Sequence, residues 1–369
     1  MKKVLILSNH FATIYKFRRE LVEKLVEKGY EVVVSLPEGD NKEIEALGVR
    51  IIETYVDRKS LNPIKDIKLF LDYLKIIKKE KPDIAIGYTI KPNIYGGMAT
   101  RIRKTPFIAN VTGLGSAYYK GGMLKKIVST LYKVGLKKAK SVFFENVQNA
   151  QVMIDDKTIT KEQAVVMNGA GVNLERFSFS PMPKDDITKF LFVGRVMEEK
   201  GVNELFDAIK KIKSEGIKTE FGFLGWFEED YSQIIKDLEA KDYIKYYGYQ
   251  KDVVKFMREA HCIVLPSYHE GMANVLLEGA SIGRALIASD IHGCKESIIN
   301  GVSGFTCKVK DSGDLYDKIK KFALMSYDDK AKMGQCGRRH MEDVFDKRKV
   351  VEMTVEEIER YIYLLRRRK

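Results

Sequence analysis

Cysteine is sparse: Cys262, Cys294, Cys307 and Cys336 are the only four in 369 residues. They are scattered, without metal-ligand spacing, and suit buried or free thiols in a reducing compartment. The five histidines, His10, His261, His269, His292 and His340, make no zinc motif. No apolar run approaches the ~18 residues of a membrane-spanning helix. The opening Met1-Lys2-Lys3-Val4-Leu5-Ile6-Leu7-Ser8 has too short an apolar part for a secretion signal and reads as a first buried strand. Internal repeats and low-complexity segments are missing too. So is any helix-turn-helix, zinc-finger or aromatic RNA-binding signature, which argues against a nucleic-acid partner. Asp155-Asp156 and Asp185-Asp186 are adjacent pairs in expected loops. No Asp-x-Asp stands at a strand end, so no divalent metal is expected.

What is present is length, alternation and charge. A chain of 369 residues favours two domains with separate cores. Short apolar runs at 4–7, 32–34, 84–86, 107–111 and 142–144 alternate with amphipathic stretches at 17–28, 64–79 and 124–137. Runs at 190–193, 220–223, 244–246, 263–265 and 285–288 repeat the alternation. This predicts parallel sheets with crossover helices, an α/β fold of two Rossmann-like domains. The cluster Ser180-Pro181-Met182-Pro183-Lys184-Asp185-Asp186 marks the expected border. It divides the chain into 1–180, 181–345 and a terminal helix, 346–369. Residues 1–180 carry 31 Lys+Arg against 19 Asp+Glu; the remainder carries 33 against 32. A basic first half points to an anionic partner.

Two segments carry chemistry. In Pro266-Ser267-Tyr268-His269-Glu270-Gly271-Met272-Ala273-Asn274-Val275-Leu276-Leu277-Glu278, an apolar run leads into a loop and then a helix. Glu270 falls on the loop and Glu278 about two turns into the helix. A helix N-terminus suits a phosphate, and a carboxylate beside it accepts hydrogen bonds from sugar hydroxyls. Alone, the pair reads sooner as two acids on a solvated face. The second segment, Phe190-Leu191-Phe192-Val193-Gly194-Arg195-Val196-Met197-Glu198-Glu199-Lys200-Gly201-Val202, reads as strand, tight loop and helix start. Arg195 offers a planar fork for phosphate oxygens and Lys200 a point charge.

Together, Gly-Arg-x4-Lys-Gly and Glu-x7-Glu resemble the nucleotide-sugar site of retaining glycosyltransferases of family four, which have the GT-B fold. Thr13-Ile14-Tyr15-Lys16-Phe17-Arg18, Ser60-Leu61-Asn62-Pro63, Lys91-Pro92-Asn93, Thr112-Gly113-Leu114-Gly115-Ser116 and Gly171-Val172-Asn173 resemble a bacterial subgroup that builds capsule, exopolysaccharide or lipid-linked oligosaccharides. The resemblance implies two Rossmann-like domains facing across a cleft. The first would bind acceptor, the second donor, and the last helix would cross back to the first. It implies transfer of a hexose or N-acetylhexosamine, with retention and without metal. The donor would be a nucleotide sugar, UDP-linked, and the acceptor a polyprenyl-diphosphate-linked saccharide. The place would be the cytoplasmic face of the plasma membrane. No bound cofactor is implied beyond the nucleotide sugar as co-substrate.

By the same resemblance Arg195, Lys200 and Glu270 are catalytic. Tyr249, Glu270, Gly271, Met272, Ala273, Asn274 and Glu278 join Arg195 and Lys200 in holding the donor, with Glu278 on the ribose. Trp226 lines the pocket or packs. Facing the cleft for the acceptor stand His10, Thr13, Lys91, Thr112, Gly113 and Gly115. The pattern departs from the family twice: residues 107–120 hold no histidine, and residues 9–13 no glycine. No histidine contact to the donor sugar is therefore carried over. The segment 121–140 interleaves lysines with apolar residues. It reads as a helix lying on an anionic bilayer or as a core-facing helix with a solvated lysine side. Two other readings stand beside transfer: a UDP-N-acetylhexosamine 2-epimerase of the same fold, and a non-catalytic membrane-bound assembly component.

Overall fold

The computed structural model describes residues 1–57, 62–115, 118 and 121–366, with side chains to Tyr363. Ser60, Leu61, Ser116 and the terminal Arg367, Arg368 and Lys369 lie outside the described residues. Two compact units emerge: Met1–Ala170 with Arg348–Lys369, and Gly171–Lys347.

The first unit is built on a seven-stranded parallel sheet, ordered β3-β2-β1-β4-β5-β6-β7. Its strands are β1 Lys3–Leu7, β2 Glu31–Leu36, β3 Arg50–Glu53, β4 Ile84–Tyr88, β5 Phe107–Val111, β6 Ser141–Phe144 and β7 Ala164–Val166. Central strands are apolar on both faces because helices cover both. One face packs Leu69, Tyr73, Ala99, Val128 and Tyr132; the other packs Leu21, Val22 and Leu25. The Lys347–Arg366 helix joins that second face through Val350, Val355, Ile358 and Ile362. Its Tyr361 hydroxyl meets Ser141 Oγ at 3.0 Å.

The second unit has six parallel strands, ordered β10-β9-β8-β11-β12-β13. These are β8 Thr188–Val193, β9 Thr219–Leu224, β10 Lys245–Tyr246, β11 Cys262–Leu265, β12 Ala285–Ser289 and β13 Gly304–Cys307. Residues 171–180 pack with this unit, so the border between the units lies ten residues before the expected one. The reason is hydrogen bonding: Phe177 O accepts from Ser281 Oγ at 2.7 Å and Arg338 Nη1 at 3.1 Å. The buried Arg284 guanidinium also donates to Ser180 O and Pro181 O.

Three strands, β3, β7 and β13, had no expectation from the sequence. All are edge strands. β3, Arg50-Ile51-Ile52-Glu53, is half-exposed and bracketed by charge, so it lacks the apolar run of a central strand; β7, Ala164-Val165-Val166, is apolar but only three residues long. Among the described residues no helix is long and apolar enough to cross a membrane.

Candidate functional site

In an open parallel sheet, ligands gather where the strand order reverses, at the carboxyl ends. In the second unit that point lies between β8 and β11, which pair directly. The loops after these strands are the two segments singled out above.

Two glycines let the loops close. Gly201, at φ +69°, would place a Cβ 2.0 Å from Pro266 O. Gly225, at φ +150°, would place one 1.7 Å from Gly194 O. Any side chain there would push the loops after β8, β9 and β11 apart. With the loops closed, Lys200 Nζ lies 2.5 Å from Glu270 Oε1, both side chains largely covered. Ser267 Oγ donates to the same oxygen at 2.8 Å. Beside them His269 Nε2 sits 3.3 Å from Glu199 Oε2. Burial pushes the His269 imidazole below its ordinary range, against the opposing pull of Glu199 and Glu270. Tyr268 Oη donates to Glu204 Oε1 at 2.9 Å, and Tyr268 N to Glu199 O at 2.9 Å.

Behind Glu270 stands Gly293, at φ +90°. A Cβ there would fall 2.7 Å from Gly271 O and 2.9 Å from Glu270 Cβ. Its N–H donates to Glu296 Oε2 at 2.7 Å and its carbonyl accepts from Ala273 N at 2.7 Å.

Glu278 is half-buried on the nine-residue Asn274–Ile282 helix. That helix lies hard against β11: a Cβ on Gly279 would come 2.4 Å from Ile263 Cγ1. Met272 and Ala273 are buried at its start. The N–H groups of Ala273 and Asn274 are engaged within the protein, by Gly293 O and by Met272 O at 3.0 Å. A phosphate there relies on other donors, foremost the cations.

Arg195 stands apart from the Lys200–Glu270 pair, with Nη1 3.7 Å from Glu228 Oε2 and the side chain 43% exposed. Glu228 Oε2 also accepts from Trp226 Nε1 at 3.4 Å. The Trp226 ring meets Tyr249 edge to face at 5.6 Å. Arg195, Trp226 and Tyr249, expected separately, thus form one exposed group joined by Glu228.

In the first unit the order reverses between β1 and β4. His10, after β1, caps the short Phe11–Tyr15 helix: its Nδ1 accepts from Ala12 N at 3.1 Å. Thr13 N donates to His10 O at 3.2 Å in that turn. Lys91, after β4, is buried and donates to Asp66 Oδ1 at 2.7 Å, while Tyr95 Oη donates to Asp66 Oδ2 at 2.9 Å. Thr112, Gly113 and Gly115 follow β5. Gly115, at φ +79°, lies 3.2 Å by its virtual Cβ from Ile90 Cδ1, so this loop adjoins Lys91's. A buried pair, Arg18 Nη2 to Glu145 Oε1 at 3.1 Å, also stands near this edge, with the guanidinium 5.2 Å from the Tyr88 ring centroid.

Sequence reading missed Ser267, Glu199, Glu228, Gly293 and Glu145. Ser267 had a signal, three residues before Glu270 in the same loop. Glu199 had one too, next to Lys200 in the same motif; Glu228, Gly293 and Glu145 meet these groups only through the fold.

Comparison with known proteins extends the picture. A family model described as "Glycosyl transferase 4-like" matches residues 3–146, and one described as "Glycosyl transferases group 1" matches 175–340. The N,N'-diacetylbacillosaminyl-diphospho-undecaprenol alpha-1,3-N-acetylgalactosaminyltransferase of Campylobacter jejuni is 29% identical, over 89% of this chain and 90% of its own length. The UDP-Gal:alpha-D-GlcNAc-diphosphoundecaprenol alpha-1,3-galactosyltransferase of Escherichia coli is 24% identical, over 69% of each chain. Among solved structures, an Anabaena protein crystallised with UDP and glucose superposes with TM-score 0.80 over 97% of this chain and 100% of its own, at 16% identity. A Thermosynechococcus elongatus sucrose-phosphate synthase gives TM-score 0.81 over 99% and 100%, also at 16%. At such identity these likenesses speak for the fold alone, two Rossmann-like units of the GT-B class.

Proposed function

Because the chain belongs to the group 1, family-four-like glycosyltransferases, we propose that it moves a hexose or N-acetylhexosamine from a UDP-sugar to a polyprenyl-diphosphate-linked saccharide in surface-glycan assembly. The Campylobacter and Escherichia relatives both carry a diphospho-undecaprenol acceptor in their names. They are transferases, which favours transfer over epimerisation. The observation that carries the reading is the covered Lys200–Glu270–Ser267 cluster where the strand order of the second unit reverses.

In the proposed reaction the bond from the sugar's anomeric carbon to the β-phosphate oxygen breaks. A bond to the acceptor hydroxyl oxygen forms on the same face. The acceptor's proton passes to the departing phosphate, so no protein base is required. Negative charge grows on the leaving diphosphate. Lys200, with Arg195, meets that charge, and fixed cations in a covered site lower such a barrier. Glu270 accepts from donor-sugar hydroxyls and Glu278 from the ribose. Gly271, Met272, Ala273, Asn274 and Tyr249 complete the donor pocket. His10, Thr13, Lys91, Thr112, Gly113 and Gly115 belong to the acceptor side. The basic first half works against an anionic membrane on its cytoplasmic face, where a polyprenyl acceptor resides.

The test is a donor screen in EDTA: single UDP-, GDP- and ADP-sugars, with and without polyprenyl-diphosphate-linked acceptors. UDP release that depends on acceptor supports the proposal. A sugar that isomerises without acceptor, or release that requires added metal, overturns it.

A further inference from the structure

We propose that three helices of the first unit, Pro63–Glu80, Gly97–Arg103 and Gly122–Leu136, form one face that lies on an anionic lipid bilayer. This deepens the lipid-linked reading above by naming the surface that meets the membrane.

Charge marks the region first. Residues 61–140 hold 17 Lys+Arg and 4 Asp+Glu, a net +13 that equals the net charge of the whole chain. The other residues sum to zero. The excess is confined to this stretch and is no general property of the protein.

The fold then places ten of these seventeen cations on three helices that cover one sheet face. The three helices send Leu69, Tyr73 and Ile77, then Ala99, then Val128, Tyr132 and Leu136 into a single core cluster on one sheet face. They pack side by side. A Cβ on Gly97 would come 2.4 Å from Gly135 O, so the second and third helices touch through backbone.

The outer side is the unusual one. Ile64 is 77% exposed, Ile67 58% and Leu71 47%, a stripe along the first helix at helical spacing. Ile102 on the second helix is 55% exposed, and on the third Met123 is 78%, Ile127 49% and Val134 39%. Between them stand exposed Lys65, Lys68, Lys75, Lys78, Lys79, Arg103, Lys126 and Lys133. No acid on these helices is exposed. Asp66 is held by Lys91 and Tyr95, Asp72 pairs with Lys75 at 3.6 Å, and Glu80 is buried with Lys3 and Arg50. The Gly122–Leu136 helix has no acid at all. The helix Arg19–Glu27, on the opposite sheet face, differs: its exposed Glu23 and Glu27 pair with Arg19 and Lys24.

Apolar side chains set among cations, with no exposed acid on the helices themselves and the adjoining Asp57 and Asp156 neutralised by Lys65 and Lys125, suit the boundary between acyl chains and anionic headgroups. A face of one charge sign repels a second copy of itself. Its apolar stripe has no use on a free phosphate. The bilayer is the occupant that uses both features.

The test is sedimentation of the full chain with vesicles of phosphatidylcholine, with and without phosphatidylglycerol, at low and high salt. Binding should require the anionic lipid and weaken with salt. The combined variant Ile64→Ser, Ile67→Ser, Leu71→Ser and the pair Lys126→Glu, Lys133→Glu should each bind at least about tenfold more weakly. All these side chains are exposed, so folding should survive, which thermal melting checks. The pair Lys236→Glu, Lys241→Glu in the second unit makes the same charge change elsewhere and should bind normally. Absence of wild-type binding overturns the proposal. So does equal loss in that control pair, or a self-association that the isoleucine variant abolishes. Vesicle binding needs no sugar transfer, so an inactive protein that binds sinks only the transfer reading. Active protein that ignores vesicles sinks only this one.

Discussion

Lys200 and Glu270 are seventy residues apart in the chain, yet the ammonium and the carboxylate meet at 2.5 Å. Each holds the other in place, and Ser267 fixes the shared oxygen. In the proposed reaction a donor's diphosphate takes the ammonium and its sugar hydroxyls take the carboxylate. Charges already in place need little rearrangement as the leaving group departs. Removing either group should therefore act on turnover. Lys200→Ala and Glu270→Ala should each lower kcat by roughly 10²- to 10³-fold. Because the two groups touch, the double variant should lose less than the product of the single losses. Steady-state rates at saturating donor check this; near-normal kcat in either single variant contradicts the assignment.

Glu278 lies about one turn into the helix that begins at Asn274, nearer its start than the two turns expected from the sequence, and eight residues beyond Glu270 in the chain. Its proposed partner is the ribose, which does not react. Such contacts hold substrate and transition state alike, so their loss appears in KM rather than kcat. Glu278→Ala should raise donor KM about tenfold or more, the worth of a hydrogen bond to a charged group. Calorimetric titration with UDP and its 2'-deoxy analogue gives a sharper reading. The wild type should prefer UDP, and the variant should lose the preference.

The central strands of both sheets were legible because burial on two faces leaves unbroken apolar runs, as at 190–193 and 263–265. The half-exposed edge strand β3 was not, for the same reason inverted: Arg50 and Glu53 bracket its two isoleucines. Glu270 and Lys200 were visible as motif residues, but their contact was not, since it depends on which strands are neighbours. Gly293 shows the limit well. Nothing in its local sequence marks it, and its importance is a clearance of 2.7 Å to a carbonyl from another loop.

That clearance yields a prediction. Gly293 holds φ +90° with its virtual Cβ 2.8 Å from Glu270 O and 2.9 Å from Glu270 Cβ. Alanine there is strained by backbone conformation and collides with rigid backbone. Relief requires the Glu270 loop to move. Gly293→Ala should cost roughly 1–3 kcal/mol of stability and lower kcat/KM further than that loss explains at a temperature where the variant is still folded. Gly301→Ala has a similar φ of +79° but open space around its Cβ. It should lose stability with activity intact. Equal activity in both would show that the Gly293 contact does not position Glu270.

His261, between β11 and the neighbouring β8, supplies a pH dependence. Its Nδ1 accepts from Lys189 N at 3.0 Å. Burial first, and then the Lys330 ammonium, push its imidazole down to about 4. In the unfolded chain a histidine titrates near ~6.5. Below that pH the unfolded chain takes up a proton that the folded protein refuses. The contribution is therefore fully present above pH ~6.5 and is lost as pH falls towards about 4, by on the order of 3 kcal/mol. His261→Gln can still accept from Lys189 N and does not titrate. Urea unfolding across that range should show the wild type falling more steeply than His261→Gln, by up to one proton's worth of slope. Parallel profiles would mean that His261 is already protonated in the folded state, and that the Lys189 bond is not what holds it.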